Sequence, residues 1–536
     1  MKVEFAICLE KAEQGDSEAQ RELGCLYRMG LGVNQDEAQA VKWYQKAATA
    51  GNAKAQFYLG RLYEEGLGIA KDEALAMHWY LKAAQSNQSL AKALKANTTL
   101  TSIELSHNKI GAEGAQALAE ALKTNTTLTS IDFQWNQISD EGAQALAGAL
   151  KTNTTLTSII LYGNEIGAEG AQTLAEALKI NTTLTSIVLS SNQIGDEGAQ
   201  ALAEALKTNT TLTSIILYHN QIGAGGAQAL AEALKTSTML ISIDLDSNQI
   251  GDEGAQALAE ELKINSTLMS INLKDNEIGA EGTQALAEAL KTNTTLTSIE
   301  LSCNQMRAKD AQALAEALKT NTTLTSIILN NNAIGDEGAH ALAKALKINT
   351  TLTSIELYNN QIGDEGGQAL AEALKTNTTL TSINLSCNQM GAKGAQALMD
   401  TLKGNNTLTS IMLGGNNDDG DDYSEVLKHI NTFCKRNEAL IQAVELYALF
   451  LACFPTEAQD AYLRLKEVST SSTQTPIVRF FQMAGKLPDD VLHGLAYHVY
   501  DQARDFIPSQ AQASAANKLL KQLRKEDRVS NKMKAK

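Results

Sequence analysis

Asn97-Thr98-Thr99-Leu100-Thr101-Ser102-Ile103-Glu104-Leu105-Ser106-His107-Asn108-Lys109-Ile110-Gly111-Ala112-Glu113-Gly114-Ala115-Gln116-Ala117-Leu118-Ala119-Glu120-Ala121-Leu122-Lys123-Thr124 decides the fold. Its first leucine, Leu100, returns every 28 residues as Leu128, Leu156, Leu184 and so on to Leu408, without a slip. Twelve copies in one register are the signature of a solenoid, in which each unit buries its apolar face only against its neighbours. Leu100-x-x-Ile103-x-Leu105 alternates like a short strand, with Ile103 and Leu105 turned inward. Asn108 follows at a turn and recurs at Asn136, Asn164, Asn192 and on to Asn416. A buried amide there can bond the turn and the next coil, so this row reads as structural. Gly111 and Gly114 are expected to break the chain, and 115–123 has helix-forming composition with Leu118 and Leu122 on one face. One strand and one helix per coil predict an α/β, right-handed horseshoe with parallel strands on its concave side and helices on its convex side.

Leu-x-x-Ile-x-Leu-x-x-Asn-x-Ile, followed by Gly-Ala-Gln-Ala-Leu-Ala-Glu-Ala-Leu, resembles the ribonuclease-inhibitor-like class of leucine-rich repeats from about Gln88 to Asn416. The resemblance implies the horseshoe and a general role in protein binding, without naming a partner. A second repeat precedes it. Ala19, Gly24, Tyr27, Trp43, Tyr44 and Lys46 return 36 residues later as Ala55, Gly60, Tyr63, Trp79, Tyr80 and Lys82. Each such unit reads as a helix, a Gly-Leu-Gly turn and a second helix. Leu-Gly-x-x-Tyr, Gly-Leu-Gly-Val/Ile and Trp-Tyr-x-Lys-Ala-Ala resemble Sel1-type repeats, relatives of the tetratricopeptide hairpin, and imply another interaction scaffold. Gln88 to Leu94 stands in the register of Gln116 to Leu122, so the last Sel1 helix is expected to run into the first leucine-rich helix with no linker. The hairpins would then cap the N-terminal end of the horseshoe, or bind a partner of their own.

After Asn416 the composition changes, and all four prolines fall between Pro455 and Pro508. The acidic run 417–422 lacks calcium-loop spacing and a closing Glu, so it reads as a solvated turn. Helical patterns follow from about Tyr423 to Leu523. The apolar stretch 439–454 is too short to cross a bilayer and holds Gln442 and Glu445. The expected division is residues 1–86 (an all-α Sel1 hairpin array), 87–416 (leucine-rich repeats) and 417–536 (an all-α C-terminal domain with a basic tail).

A net charge of −16 argues against general affinity for nucleic acid or anionic lipid. Cys8, Cys25, Cys303, Cys387, Cys434 and Cys453 form no Cys-x-x-Cys pair, which fits free thiols in a reducing compartment. The start, Met1-Lys2-Val3-Glu4-Phe5, is interrupted by charge too early for a secretory core. A cytoplasmic site is therefore expected, and the Asn-Thr-Thr triplets read as products of the repeat, not glycan sites. Such repeat combinations are similar to those of bacteria living inside eukaryotic cells, which makes delivery into a host cytosol conceivable.

Comparing the coils with one another locates where specificity could live. Variation concentrates in three rows at and after each strand. The first runs Glu104, Asp132, Ile160, Val188, Ile216, Asp244, Asn272, Glu300, Ile328, Glu356, Asn384 and Met412. The second includes Tyr162, Ser190, Tyr218, Asp246, Lys274 and Tyr358; the third includes His107, Trp135, Gly163, His219 and Asp275. Alternation places the first two rows on the concave face. Ile160, Val188 and Ile216 then form an apolar stripe flanked by Tyr162 and Tyr218, edged by Trp135 and bounded by Asp132 and Asp244, with Ile328 and Tyr358 further along. Aromatic anchors in an apolar centre with a charged rim are what a protein-binding hot spot needs.

No catalytic constellation emerges. There is no Gly-x-x-x-x-Gly-Lys-Ser/Thr, the seven histidines fall in no zinc-ligand spacing, and no cysteine sits in the Cys-x-Asp setting of bacterial ubiquitin ligases. One coil is anomalous: Arg307 and Asp310 replace both glycines, which reads as local drift or a basic contact point. Lys486-Leu487-Pro488-Asp489-Asp490-Val491-Leu492 faintly resembles the opening of an F-box, although Leu-Pro followed by acids is also an ordinary helix start. The expectation is a non-enzymatic scaffold, with no cofactor or metal, that binds a partner protein on the concave face. The alternatives are a substrate-recruiting adaptor for ubiquitin ligation and a stoichiometric enzyme inhibitor.

Overall fold

The computed structural model describes residues 2–72, 75–76, 79–80, 82, 87–416 and 425–438. The chain divides into one unit of Met1–Asn405 with Ser410–Lys428 and a second of Asn406–Thr409 with His429–Lys536. The first unit carries both repeat arrays. Its sheet has twelve parallel strands hydrogen-bonded in sequence order, each three residues long: β1 (Ser102–Glu104), β2 (Ser130–Asp132), β3 (Ser158–Ile160), β4 (Ser186–Val188), β5 (Ser214–Ile216), β6 (Ser242–Asp244) and so on to β12 (Ser410–Met412). Every strand pairs Ser with Ser and Ile with Ile of the next coil, as between Ile131 and Ile159. Helices alternate with the strands, the arrangement of a leucine-rich-repeat horseshoe. Ile103, Leu105, Leu118 and Leu122 are buried, as are their equivalents in later coils, so one apolar core runs the length of the array.

The buried asparagines join coil to coil. Fully buried Asn136 donates from Nδ2 to Leu105 O of the preceding coil at 2.8 Å and to Phe133 O of its own at 2.9 Å. Its Oδ1 accepts the N–H groups of Asn108 and Ile110. The Nδ2 bond to the preceding coil recurs at Asn164, Asn220, Asn276 and Asn360. Asn108, first in the row, has no strand before it and is exposed. A second asparagine row lies where the sequence shows only Asn-Thr-Thr triplets. Asn209 donates to Leu178 O at 2.6 Å and accepts the N–H groups of Thr211 and Leu212. Asn97, Asn125, Asn153 and the later equivalents are likewise buried, and Ser237 is the one substitution in the row.

Each helix starts earlier than its composition suggests. The first leucine-rich helix that follows a strand is Gly111–Leu122, so Gly114 lies inside it and does not break it. Close packing explains the second glycine: a Cβ at Gly142 would lie 2.5 Å from Ile138 Cγ2 and 3.0 Å from Ala115 Cβ of the preceding coil.

Outside the Arg307 coil, the first glycine position takes one of two states, set by a residue of the previous coil. Asp140 Oδ1 accepts the N–H groups of Gly167 (2.7 Å) and Gly170 (2.9 Å), capping the next coil's helix Ala168–Leu178 across the interface. Asp196, Asp252, Asp336 and Asp364 do the same for the helices that follow them. Where the previous coil has Ala112, Ala168, Ala224 or Ala308 instead, Ser139, Gly195, Gly251 and Gly335 turn left-handed, at φ of 59 to 61°. Their N–H groups then bond forward to the carbonyl of the next coil's asparagine. The Arg307 coil follows Ala280, has no capping aspartate behind it, and supplies its own: Arg307 N–H donates to Asp310 Oδ2 at 2.8 Å. The anomaly read as drift is a replacement cap.

In the Sel1 array, Asp16, Asp36 and Asn52 cap the helices Ser17–Met29, Glu37–Thr49 and Ala53–Glu65, and left-handed Gly30 and Gly66 end the first and third. Gly24 and Gly60 lie against the rings of buried Tyr44 and Tyr80, whose phenols burial holds above their usual pKa. The first leucine-rich helix, Asn87–Ala96, joins the horseshoe through Asn125 Nδ2, which bonds Leu94 O at 2.8 Å. The continuous helix expected across the join involves 83–86, which lie outside the described residues.

In the second unit the described residues of 429–438 are helical, and Asn437 Nδ2 donates to Leu408 O at 2.8 Å. The acidic run 417–422, the helices expected after Glu438, the F-box-like stretch 486–492 and the basic tail lie outside the described residues. Among the described residues no helix is long and apolar enough to cross a membrane.

The cross-coil cap predicts that Asp196→Ala lowers stability by about 1 kcal/mol, read from the urea midpoint. Glu197→Ala, one residue on and exposed, should change it by no more than ~0.5 kcal/mol.

Candidate functional site

The strand register brings the first variable row together. Asp132 pairs with Ile160, Ile160 with Val188, Val188 with Ile216 and Ile216 with Asp244, so three aliphatic residues lie between two aspartates on consecutive strands. All five are half-buried, while Ile131, Ile159 and Ile187 beside them are fully buried on the core side. Ile328 stands apart between Glu300 and Glu356, and Tyr358 lies on the following coil, exposed.

Polar residues in this row have a local task. Asp132, Asp244, Asn272, Glu300 and Asn384 each accept the backbone N–H two residues on, at 2.8 to 3.1 Å. Isoleucine and valine cannot accept it. Each of Ile160, Val188 and Ile216 therefore forgoes a bond worth about 0.5–1.5 kcal/mol, in three successive coils.

The aromatic residues cluster over the same coils. Trp135 meets Tyr162 edge-on with ring centres 5.0 Å apart, and Tyr162 lies 5.7 Å from Tyr218. The two tyrosines, two coils apart, lean together over Ser190 of the coil between them, which is fully buried with its Oγ unpartnered. Burial, then Tyr162 beside it, raises the pKa of the Tyr218 phenol. On the far side His107 stacks on Trp135 at 6.0 Å and 16°. A shallow depression of about 430 Å³ beside Trp135 is also lined by Lys109, Gln137 and Glu165.

The third row is not free to vary in backbone. All twelve of its residues are left-handed, from φ 52° at Ser191 to 71° at Gly415. Glycine, asparagine, aspartate and histidine tolerate that region, but a bulky Trp135 at φ 53° is an outlier. Its ring lies flat because the next coil has Gly163, where a Cβ would come within 2.7 Å of the indole.

The charge is one-sided. The three rows hold Glu104, Asp132, Asp244, Asp246, Asp275, Glu300 and Glu356 against the single cation Lys274. Lys274 is paired with Asp246 at 3.0 Å, and that bond holds its ammonium pKa above the usual value. Burial pushes the carboxyls of Asp244 and Glu300 up. Among the described residues no group of three or more His, Cys, Asp or Glu is placed to hold a metal.

Residues 75–437 match the family model described as the NLRC3 LRR domain. The chain belongs to the NLRC3 LRR domain family. Residues 17–52 and 53–88 each match the Sel1 repeat. No curated protein matches the chain. Among solved structures, the actin-binding site 2 of leiomodin-1 is 26% identical over 28% of this chain and 87% of that chain, with a TM-score of 0.26. A Sel1 repeat protein from Oxalobacter formigenes is 42% identical over 16% of this chain and 63% of that one, at a TM-score of 0.15. The leucine-rich repeat-containing protein LegL7 from Legionella pneumophila is 17% identical over 62% and 98%, at 0.37. Leucine-rich and Sel1 repeats indicate a protein-interaction scaffold, and both are typically non-catalytic.

In this NLRC3 LRR domain chain, the sequence pattern did not single out His107, Gly163 or Ser190 as parts of the site. A glycine one coil after a tryptophan in the same row was the available signal for the first two. The Sel1 array has an aromatic face of its own: Trp43 and Trp79 line a depression of about 520 Å³, and Lys46 Nζ lies 4.2 Å from the centre of the Trp43 ring.

The packing of Trp135 on Gly163 predicts a non-additive pair. Gly163→Ala should destabilise by ~2 kcal/mol, combining left-handed strain with the ring clash. In a Trp135→Asn background the same change should lose only ~1 kcal/mol, because the strain remains and the clash is gone. Equal losses in urea denaturation of the two backgrounds would refute the contact.

Proposed function

We propose that the protein is a non-enzymatic scaffold that binds a partner protein on the concave face of its leucine-rich repeats, centred on Ile160, Val188 and Ile216. The observation that carries this reading is the unbroken aliphatic row in coils where a polar residue would gain a backbone bond. Drift at a tolerant surface position does not favour three consecutive losses. Tyr162, Tyr218 and Trp135 supply the aromatic anchors typical of interface hot spots, and the strained backbone of Trp135 is the kind of outlier found at binding sites. Asp132 and Asp244 form the rim, with Ile328 and Tyr358 as outlying contacts. The Sel1 segment 1–86 and the segment after Asn416 flank the binding region 87–416.

A reducing cytosol, the cell's own or a host's, fits the buried second asparagine row. Glycans attached to those Asn-x-Thr triplets before folding would block its bonds to the preceding coils.

The test compares wild type with a chain carrying Ile160→Asn, Tyr162→Ser, Ile216→Asn and Tyr218→Ser, using a partner first captured and identified with wild type. Binding should weaken at least ~100-fold, with an unchanged circular dichroism spectrum. Undiminished binding by the folded variant would rule out the concave site.

A further inference from the structure

Two features of the concave row restrict what can lie on it. The first concerns the strands. Each inner strand is bonded to a neighbour on either side, so a ligand cannot add a strand there and must be read through its side chains. The second concerns the rim. The local backbone bond made by Asp132 and Asp244 is made equally well by Asn272 and Asn384. At both ends of the aliphatic row the residue is nevertheless an aspartate; Asp132 Oδ2 also accepts from Gln134 Nε2 at 2.7 Å, and these neutral donors leave both negative charges without a balancing cation. The nearby cation, Lys274, is paired with Asp246.

We propose that this row receives an amphipathic α-helix of a partner protein, lying across the strands, with apolar residues over Ile160, Val188 and Ile216 and a lysine or arginine at each end facing Asp132 and Asp244. The proposal rests on the concave-face reading and names the class of partner. The dimensions agree. Neighbouring strands stand ~4.8 Å apart, so the two aspartates are ~19 Å apart along the row. A helix rises ~1.5 Å per residue, so about 13 residues cover that span, with apolar positions at i, i+4 and i+7 over the middle ~10 Å. Tyr162 and Tyr218 stand beside the row as its aromatic wall, and parting them would uncover the unpartnered Ser190 Oγ.

The test uses the full chain and two fluorescent helix-forming peptides of about 18 residues, sharing one leucine stripe and differing only in their ends, lysine and arginine in one and glutamate in its twin. Binding is read by fluorescence anisotropy at physiological salt, against Asp132→Asn/Asp244→Asn and Ile160→Asn/Ile216→Asn. The first variant removes the charges and keeps the backbone bonds. The expected result is that the basic peptide binds wild type, that each double variant weakens it at least ~10-fold, and that the acidic twin does not bind. If both peptides bind alike and only the aliphatic variant releases them, the basic partner class is wrong and the concave site stands. If the basic peptide binds the aliphatic variant as well as wild type, it is held by the net charge of −16 alone and the concave site fails with the proposal. Absence of binding by either peptide overturns the helical partner.

Discussion

A primary amide buried between consecutive coils holds this molecule together. An uncharged amide offers two N–H donors and an oxygen with two lone pairs in one plane, and each turn here needs both kinds of group. Asn136 satisfies a carbonyl of the coil before it and two N–H groups of that same coil, and so fixes one unit's height and rotation on the next. Removing such a group leaves several buried backbone partners unsatisfied, each costing roughly 1–3 kcal/mol. Two amide rows, one after the strand and one after the helix, pin both edges of the coils, with Ser237 the one gap in the second row. The aspartate cap adds a third link, from the first turn of one helix to the start of the next. A solenoid has few long-range contacts beyond nearest neighbours, so these bonds set the register of the whole array.

Because the two edges and the core carry the fold, the outward strand positions are released from it. Those positions are where the coils differ. At the same row position Asn272 and Asn384 make a backbone bond that the aliphatic residues lack. Trp135 and Gly163 tell a similar story on the adjoining loop: the backbone there is left-handed in every coil, and a bulky ring is placed against that preference with a glycine making room. The aliphatic run Ile160, Val188 and Ile216 and the Trp135–Gly163 packing gather within coils two to five, and this concentration is what supports the proposed concave site.

Much of this was legible in the sequence because the repeat compares the chain with itself. The period gave the strands, the inward Ile and Leu, the asparagine row after each strand and the three variable rows. What escaped was physics acting between coils. The Asn-Thr-Thr triplet looks like exposed polar sequence, and only stacking reveals that Asn209 reaches Leu178, 31 residues back. The Asp140 cap acts 27 residues ahead on Gly167, and for the same reason Arg307 and Asp310 looked like drift. Gly114 reads as a breaker in isolation and lies buried inside a helix in place, and its equivalent Gly142 is a packing residue. Composition carries no φ value, so the left-handed third row could be suspected from its Gly, Asn, Asp and His content but not seen.

The most direct measurement is site-specific photo-crosslinking to the partner, with a benzophenone side chain installed at Tyr162 on the concave face or at exposed Gln172 on the neighbouring helix. The account predicts that the partner is captured from position 162 and not from 172. Capture from 172 with none from 162 would place the partner on the convex side and contradict it.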